Sequence, residues 1–287
     1  METNNEWKNY SVIASGCGKK LENFGGVVLL RPDPQIIWRA QKDFSKINNL
    51  NAVYERSETG GGEWNVLKKT PEEFNVNWRS LTFSLKLMGF KHTGVFPEQA
   101  CNWAKIIDVV TEAKRPVSVL NLFAYTGGAT LASALAGAKV THVDAAKAMC
   151  ERAGRNAKLS GLGDKPIRYI VDDCVKFVER EIRRGAKYDA VIMDPPSYGR
   201  GPKGEIWKIE DKLFELVELT KGVMSNNPLF YLINSYTTGL QPTVMKNILD
   251  IIFKDAPHST KAYEVGLPTE EGIVLPCGAS AFLTFKG

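Results

Sequence analysis

From Val117 onward the chain repeats one pattern: a short apolar, β-type run, then a stretch with helical spacing, then another run. The runs are VSVLNLF (117–123), AKVTHVD (138–144), PIRYIVD (166–172), KYDAVIMD (187–194) and LFYLINS (229–235). Helical patterns fill the gaps at Ala129–Ala136, Ala146–Leu159, Cys174–Arg184, Lys208–Met224 and Pro242–Phe253. Apolar strands with helical crossovers imply a parallel sheet covered on both faces. Two further β-type runs, Lys261–Val265 and Ala279–Phe285, predict a hairpin that leaves one strand antiparallel at the sheet edge. This part of the chain is therefore expected to be a doubly wound α/β domain.

The preceding segment has another texture. The stretches GCGKKLENFGG, VVLLRPDPQIIW and TGGGEW break short β-type runs with turn formers, which predicts a small β-rich subdomain over residues 1–80 and an α/β domain over 81–287. Leu81–Met88 alternates like a half-buried strand, and Gln99–Val110 reads as an amphipathic helix stopped by Lys114-Arg115-Pro116. With 44% apolar and 24% charged residues, the composition suits a soluble protein. No window holds the ~18 uninterrupted apolar residues of a membrane span, and METNNEWKNY has no apolar signal core. A cytoplasmic location is expected. Five scattered cysteines without a C-x-x-C speak against a disulfide framework and against a metal site. The net charge of +5 tolerates a polyanionic partner without requiring one.

In a doubly wound sheet, ligands bind beyond the carboxyl ends of the strands. The first strand ends in Asn121-Leu122-Phe123-Ala124-Tyr125-Thr126-Gly127-Gly128, where glycines serve either a tight turn or a close backbone approach to a ligand. The second ends in Asp144-Ala145 and the third in Asp172-Asp173-Cys174, acids that suit either helix caps or the ribose and amine of a nucleoside. Their succession on neighbouring strands predicts a nucleoside pocket. A-Y-T-G-G-A lacks the G-x-G-x-x-G that admits a pyrophosphate, which disfavours a nicotinamide dinucleotide. A ligand with ribose and adenine but no phosphate fits better.

The fourth strand ends in Asp194-Pro195-Pro196-Ser197-Tyr198-Gly199-Arg200-Gly201. Together with NLFAYTGG, Val143-Asp144 and Asp172-Asp173, this resembles the class I S-adenosylmethionine-dependent methyltransferases, and within them the bacterial large-subunit ribosomal RNA cytosine-5 methyltransferase group. Gly94–Gln99 (GVFPEQ) is similar to that group's G-x-F-x-D-Q-R run. The resemblance covers roughly residues 80 to 287. It implies a Rossmann-like methyltransferase sheet, mostly parallel, with S-adenosylmethionine as cofactor. It implies that Phe123, Ala124, Tyr125, Thr126, Gly127 and Gly128 hold the methionine end. Asp144 and Ala145 would meet the ribose, and Asp172, Asp173 and Cys174 the adenine. Asp194 would lie beside the methyl, with Glu98 and Gln99 closing the pocket. The larger relatives begin with an RNA-binding PUA domain, and the chain resembles a shorter branch without one.

The group's cytosine chemistry uses a thiolate after the fifth strand. Here Tyr236 aligns with that cysteine, and a phenol with a pKa near ~10 is a poor substitute. Attention shifts to nitrogen or oxygen acceptors. Asp194 and the Pro195 carbonyl could hold an exocyclic amine, and Tyr198 could stack a base. Alternatively the prolines make only a rigid turn and Tyr198 packs. In Gly199–Lys208, Arg200, Lys203 and Trp207 are candidate substrate contacts, or a solvated lid. Arg31, Trp38 and Arg39 are further candidates, whereas Arg180, Arg183 and Arg184 read as charges favoured by a helix end. The expected activity is methylation of RNA, ribosomal RNA first, with no membrane and no metal, and a homodimer left open. The alternatives are a small-molecule or protein methyltransferase, and a catalytically inactive cofactor-binding protein.

Overall fold

The computed structural model describes residues 1–57, 61–89, 91–200 and 206–286. The chain forms two compact units: Met1–Glu2, Cys101–Val265 and Cys277–Gly287 make one, and Thr3–Ala100 with Gly266–Pro276 make the other.

In the second of these, β1 (Tyr10–Gly16), β2 (Lys19–Phe24), β3 (Val27–Pro32), β4 (Leu50–Arg56) and β5 (Gly62–Val66) form a five-stranded sheet in chain order. The pairs are antiparallel except β3 with β4, which run parallel. Ala14, Leu21, Val28, Leu30 and Leu50 make one small core on it. A hairpin follows, β6 (Phe74–Trp78) and β7 (Leu81–Leu85), in register from Phe74↔Leu85 to Trp78↔Leu81. The division expected after residue 80 thus falls in the turn of this hairpin, whose two strands cannot be parted without breaking their ladder. The same unit takes in the segment around Thr269–Glu271, where the Glu270 N–H donates to the Val12 carbonyl at 2.9 Å and the Ser15 N–H to Glu271 at 2.8 Å. Arg31 is buried, its guanidinium clasping Glu22 through two contacts of 2.6 Å. It is an internal ion pair rather than an open substrate contact. Trp38 is half-buried and bonded to Ser15 at 3.2 Å, and Arg39 is exposed.

The other unit opens with α1 (Ala100–Glu112) and continues with β8 (Ser118–Leu122), α2 (Gly128–Leu135), β9 (Lys139–Asp144), α3 (Lys147–Leu159), β10 (Ile167–Val171), α4 (Cys174–Arg183) and β11 (Ala190–Met193). A small hairpin, β12 (Tyr198–Arg200) and β13 (Ile206–Lys208), interrupts the alternation before α5 (Ile209–Lys221), β14 (Phe230–Ser235), α6 (Pro242–Ile252), β15 (His258–Pro268) and β16 (Val274–Phe285). The sheet order is β10-β9-β8-β11-β14-β16-β15. The pairs from β10 through β14 are parallel, and β16 runs antiparallel to β14 from Phe230↔Thr284 to Ser235↔Ala279. Every residue of β11 and β14 is buried, β11 being apolar throughout and β14 apolar up to its Asn234-Ser235 ending. On one face Val191, Met193, Tyr231 and Ile233 pack with Phe177, Leu213, Leu216 and Leu249 of the covering helices.

The order fixes where a ligand can sit. The chain runs outward from β8 through β9 to β10, then returns to place β11 on the other side of β8. Beyond the carboxyl ends of β8 and β11 lies the switch point, the crevice where ligands bind in such sheets.

Candidate active site

Beyond β8 the backbone is forced out of its ordinary range. Phe123, Tyr125 and Gly127 have φ of +54°, +49° and +93°, two of them without the freedom of glycine. Left-handed backbone at a non-glycine residue costs on the order of 1–3 kcal/mol and persists where the surroundings over-determine it. They do so here. The Phe123 N–H donates to the Cys174 sulfur at 3.3 Å, Ala124 N–H to the Val143 carbonyl at 3.1 Å, and Tyr125 N–H to the Asp144 carboxylate at 2.8 Å. Behind them the Asn156 amide donates to the Thr126 carbonyl at 3.0 Å. The loop so held ends at the N-terminus of α2, whose first N–H groups suit a ligand.

The two glycines have separate duties. Gly127 caps α2 in the left-handed region, and a Cβ on it would stand 3.0 Å from that of Ala153 on α3. A Cβ on Gly128 would meet the Trp103 ring at 2.3 Å, so this glycine makes room for an indole of α1. The resemblance places it at the ligand, and the structure adds a packing partner.

Asp144 ends β9 half-buried. Its second oxygen accepts from the Ala146 N–H at 2.8 Å. Burial raises its pKa, and the two backbone donors pull the other way without cancelling it. Ala145 beside it is exposed. At the end of β10, Asp172 is engaged by Arg180, and Asp173 caps α4 by accepting from the Lys176 N–H at 3.0 Å. Arg180 is therefore an ion-pair partner, not a bare helix-end charge. Cys174 is buried, its thiol pushed up to about 12 chiefly by that burial. Its sulfur serves the Phe123 loop rather than facing outward. Glu98 and Gln99 lie in a short helical turn of the other unit, both buried.

At the exit of β11, Asp194 is half-buried, Pro195 buried and Pro196 exposed. The β12–β13 hairpin that follows is one the sequence read as a loop. Its Trp207 turns back, donating to the Pro196 carbonyl at 2.6 Å and tilting against Phe123 with ring centroids 6.0 Å apart. The expected substrate contact Trp207 thus ties the β11 exit to the strained loop after β8. Tyr198 is about half exposed, at 49%, and accepts from Arg200 Nε at 2.9 Å. Lys203 lies outside the described residues.

The exit of β14 adds contacts of Thr237 and Asn234, which the sequence did not single out, beside Tyr236, which it did. Thr237 shares a 2.6 Å hydrogen bond with Ser197, and its N–H donates to Ser235 at 3.1 Å. Tyr236 lies against Gly278, where an added Cβ would come within 3.0 Å of the ring. Asn234 accepts from Asn102 at 3.1 Å and from Ser280 at 2.8 Å, a buried cluster that also holds Tyr263. The Asn-Ser ending of LFYLINS was the available signal: polar residues closing an otherwise apolar strand.

Residues 49–241 match the family model described as S-adenosylmethionine-dependent methyltransferase. The chain belongs to that family. This methyltransferase superposes on the crystal structure of the SAM-dependent methyltransferase from Agrobacterium tumefaciens with a TM-score of 0.92 and 32% identity, over 99% of this chain and 93% of that one. Among curated proteins it is 27% identical over 149 residues to ribosomal RNA large subunit methyltransferase K/L of Colwellia psychrerythraea, covering 52% of this chain and 20% of that protein. The corresponding protein of Allochromatium vinosum is 31% identical over 144 residues, 50% of this chain and 19% of that protein. The methyltransferase therefore spans about a fifth of the length of those relatives. S-adenosylmethionine is its cofactor. The residues suit it: an N–H-bearing strained loop without a basic side chain, and an acid at the neighbouring strand end. No helix among the described residues is long and apolar enough to cross a membrane, and none of their acidic, histidine or cysteine side chains group as a metal site.

Proposed function

We propose that the methyltransferase acts on RNA, ribosomal RNA first, and methylates nitrogen or oxygen rather than a ring carbon. The observation that carries this reading is the β11 exit. Asp194 and Pro195 leave the sheet at the switch point, and the hairpin directly after them displays a half-exposed Tyr198 with Arg200 on its hydroxyl. An aromatic ring bonded to a cation suits a base and its backbone. The large-subunit ribosomal RNA named in the curated relatives supports the same substrate class.

S-adenosylmethionine, when bound, supplies a methyl group on a sulfonium, an electrophile open to in-line displacement. Phe123–Gly128 hold its methionine end, Asp144 its ribose, and the segment Asp172–Cys174 its adenine. In this assignment Asp144 keeps one duty toward the protein, fixing the Tyr125 and Ala146 N–H groups. Asp194 accepts the N–H of an exocyclic amine and turns its lone pair toward the methyl, with the Pro195 carbonyl as second acceptor. Prolines suit this place because they stiffen the turn and present acceptors without a competing N–H. Tyr198 stacks the base, while Arg200 meets the backbone.

Cys174 and Cys150, thiols that lie near the strand ends, do not suit ring-carbon chemistry. Burial pushes Cys174 up to about 12 and also raises Cys150, so both stay protonated and unreactive. By the sequence resemblance, Tyr236 stands where the cytosine-5 methyltransferase group has its cysteine. The test is fractionation of radiolabel after incubation of the protein with methyl-labelled cofactor and an extract of deletion cells. Label is expected in RNA, and label confined to protein or small molecules would refute the substrate class.

A further inference from the structure

Lys91 sits in a tight turn of the β-rich unit, closed by the His92 N–H donating to the Gly89 carbonyl at 3.2 Å. Its φ is +63°, left-handed backbone in which a lysine is strained and a glycine is not. Its side chain is half-buried, and the ammonium donates to the Pro32 carbonyl at 2.9 Å. Among the described residues no carboxylate pairs with it. Lys20, Arg31 and Arg56 act on it as like charges, and Asp33 acts against them. Asp33 is itself paired with Lys20 at 3.3 Å. Glu22 is held by both arms of Arg31, whose remaining nitrogen donates to the Lys91 carbonyl at 3.1 Å. His92, edge-on to Phe96, adds no charge, because burial and then Arg31 and Lys91 lower it to about 4.

Asp33 and Glu22, the acids beside this cluster, are thus both already engaged. A partly buried charge without a partner is costly, and an oxyanion is what would relieve it. A lysine ammonium has three donors, of which one is spent on Pro32. The two that remain, with the Arg56 guanidinium near, suit phosphate oxygens.

We propose that Lys91, with Lys20 and Arg56 near it, seats an oxyanion, and that this oxyanion is a backbone phosphate of the substrate RNA. The inference rests on the RNA reading given above. It adds a site that no strand-end motif indicates, on the unit that does not hold the cofactor loop. Burial, and next Lys20, hold the Lys91 amine down near about 8. The amine is charged below that value and neutral above it, so its grip on phosphate weakens as pH rises through the region.

The test uses the full-length protein, a fluorescent single-stranded RNA oligonucleotide and methylphosphate as probes. Lys91→Gln is expected to weaken RNA binding by about fivefold or more, equally across sequences, and to lower the slope of log affinity against log salt by about 1. KM for RNA should rise with kcat retained, and the cofactor Kd should stay unchanged. Lys91→Arg should keep the affinity and abolish its decline between pH 7 and 9.5. Methylphosphate should raise the titration midpoint of the Lys91 ε-carbon resonance. Unchanged RNA affinity and salt slope in Lys91→Gln would overturn the proposal. If methylphosphate moved Lys91 while RNA affinity ignored the substitution, the site would belong to a free phosphate-bearing ligand and the RNA assignment would fall. Absence of methyl transfer to RNA by the unaltered protein would defeat the proposed function instead, with the methylphosphate titration still deciding the site.

Discussion

Gly128 opens α2, and replacing a helical glycine by alanine ordinarily stabilises by about 0.5–1 kcal/mol. The structure reverses that sign. The added Cβ would stand 2.3 Å from Trp103 Cζ2, 2.7 Å from Cε2 and 3.0 Å from Nε1. Carbon atoms prefer separations of roughly 3.5–4.0 Å, so the ring must move by on the order of an ångström. Trp103 is only 4% exposed, which leaves it little room to do so. Overpacking of this kind costs about 1–3 kcal/mol. Set against the helical gain, Gly128→Ala should lose about 1–2 kcal/mol of stability. Urea unfolding followed by tryptophan fluorescence reads this as a lower midpoint at unchanged slope. The double variant Gly128→Ala/Trp103→Leu should recover part of the loss relative to Trp103→Leu alone. A neutral or stabilising Gly128→Ala, or no coupling between the two sites, would refute the assignment of this glycine to packing.

Two further outcomes follow from the strand ends. Trp207→Leu removes both the bond to the Pro196 carbonyl and the ring against Phe123, and a misplacement near 1 Å can cost ~10²-fold in rate. Single-turnover methyl transfer should fall by roughly that order, and by less in Trp207→Phe, which keeps a ring; equal losses would mean the packing does nothing. Asp144→Asn leaves one of the Tyr125 and Ala146 N–H groups facing a donor, and the cofactor Kd by calorimetry should rise about tenfold or more. Burial raises the Asp144 pKa, so cofactor affinity should decline on acidification at a pH above the ordinary aspartate range. An affinity flat down to pH 4 would contradict the ribose assignment.

The α/β half of this chain was legible because its central strands are mostly apolar and helical patterns separate those of its parallel part, so period and length agree. That a ligand would lie beyond the carboxyl ends of the strands followed from the same pattern, while the switch point needed the strand order. What the side chains do at the strand ends could not be read that way. Asp172 and Asp173 look alike in sequence, yet one is taken by Arg180 and the other by a helix cap. Gly127 and Gly128 look alike too, and only coordinates separate a left-handed cap from a seat for Trp103. The hairpin of β12 and β13 was missed because each of its strands has three residues, too few to show alternation. The pairing of Ser15 with Glu271 joins positions far apart in the chain, and no local pattern carries such a contact.

The central claim is that the β11 exit presents an exocyclic nitrogen, or an oxygen, to the methyl group. Mass spectrometry of nucleosides from RNA treated with the protein and with Asp194→Ala tests it most directly. The account predicts an N-methylated or O-methylated nucleoside made by the unaltered protein and lost in Asp194→Ala, with cofactor binding and stability retained. Formation of 5-methylcytidine, or undiminished methylation by Asp194→Ala, would contradict it.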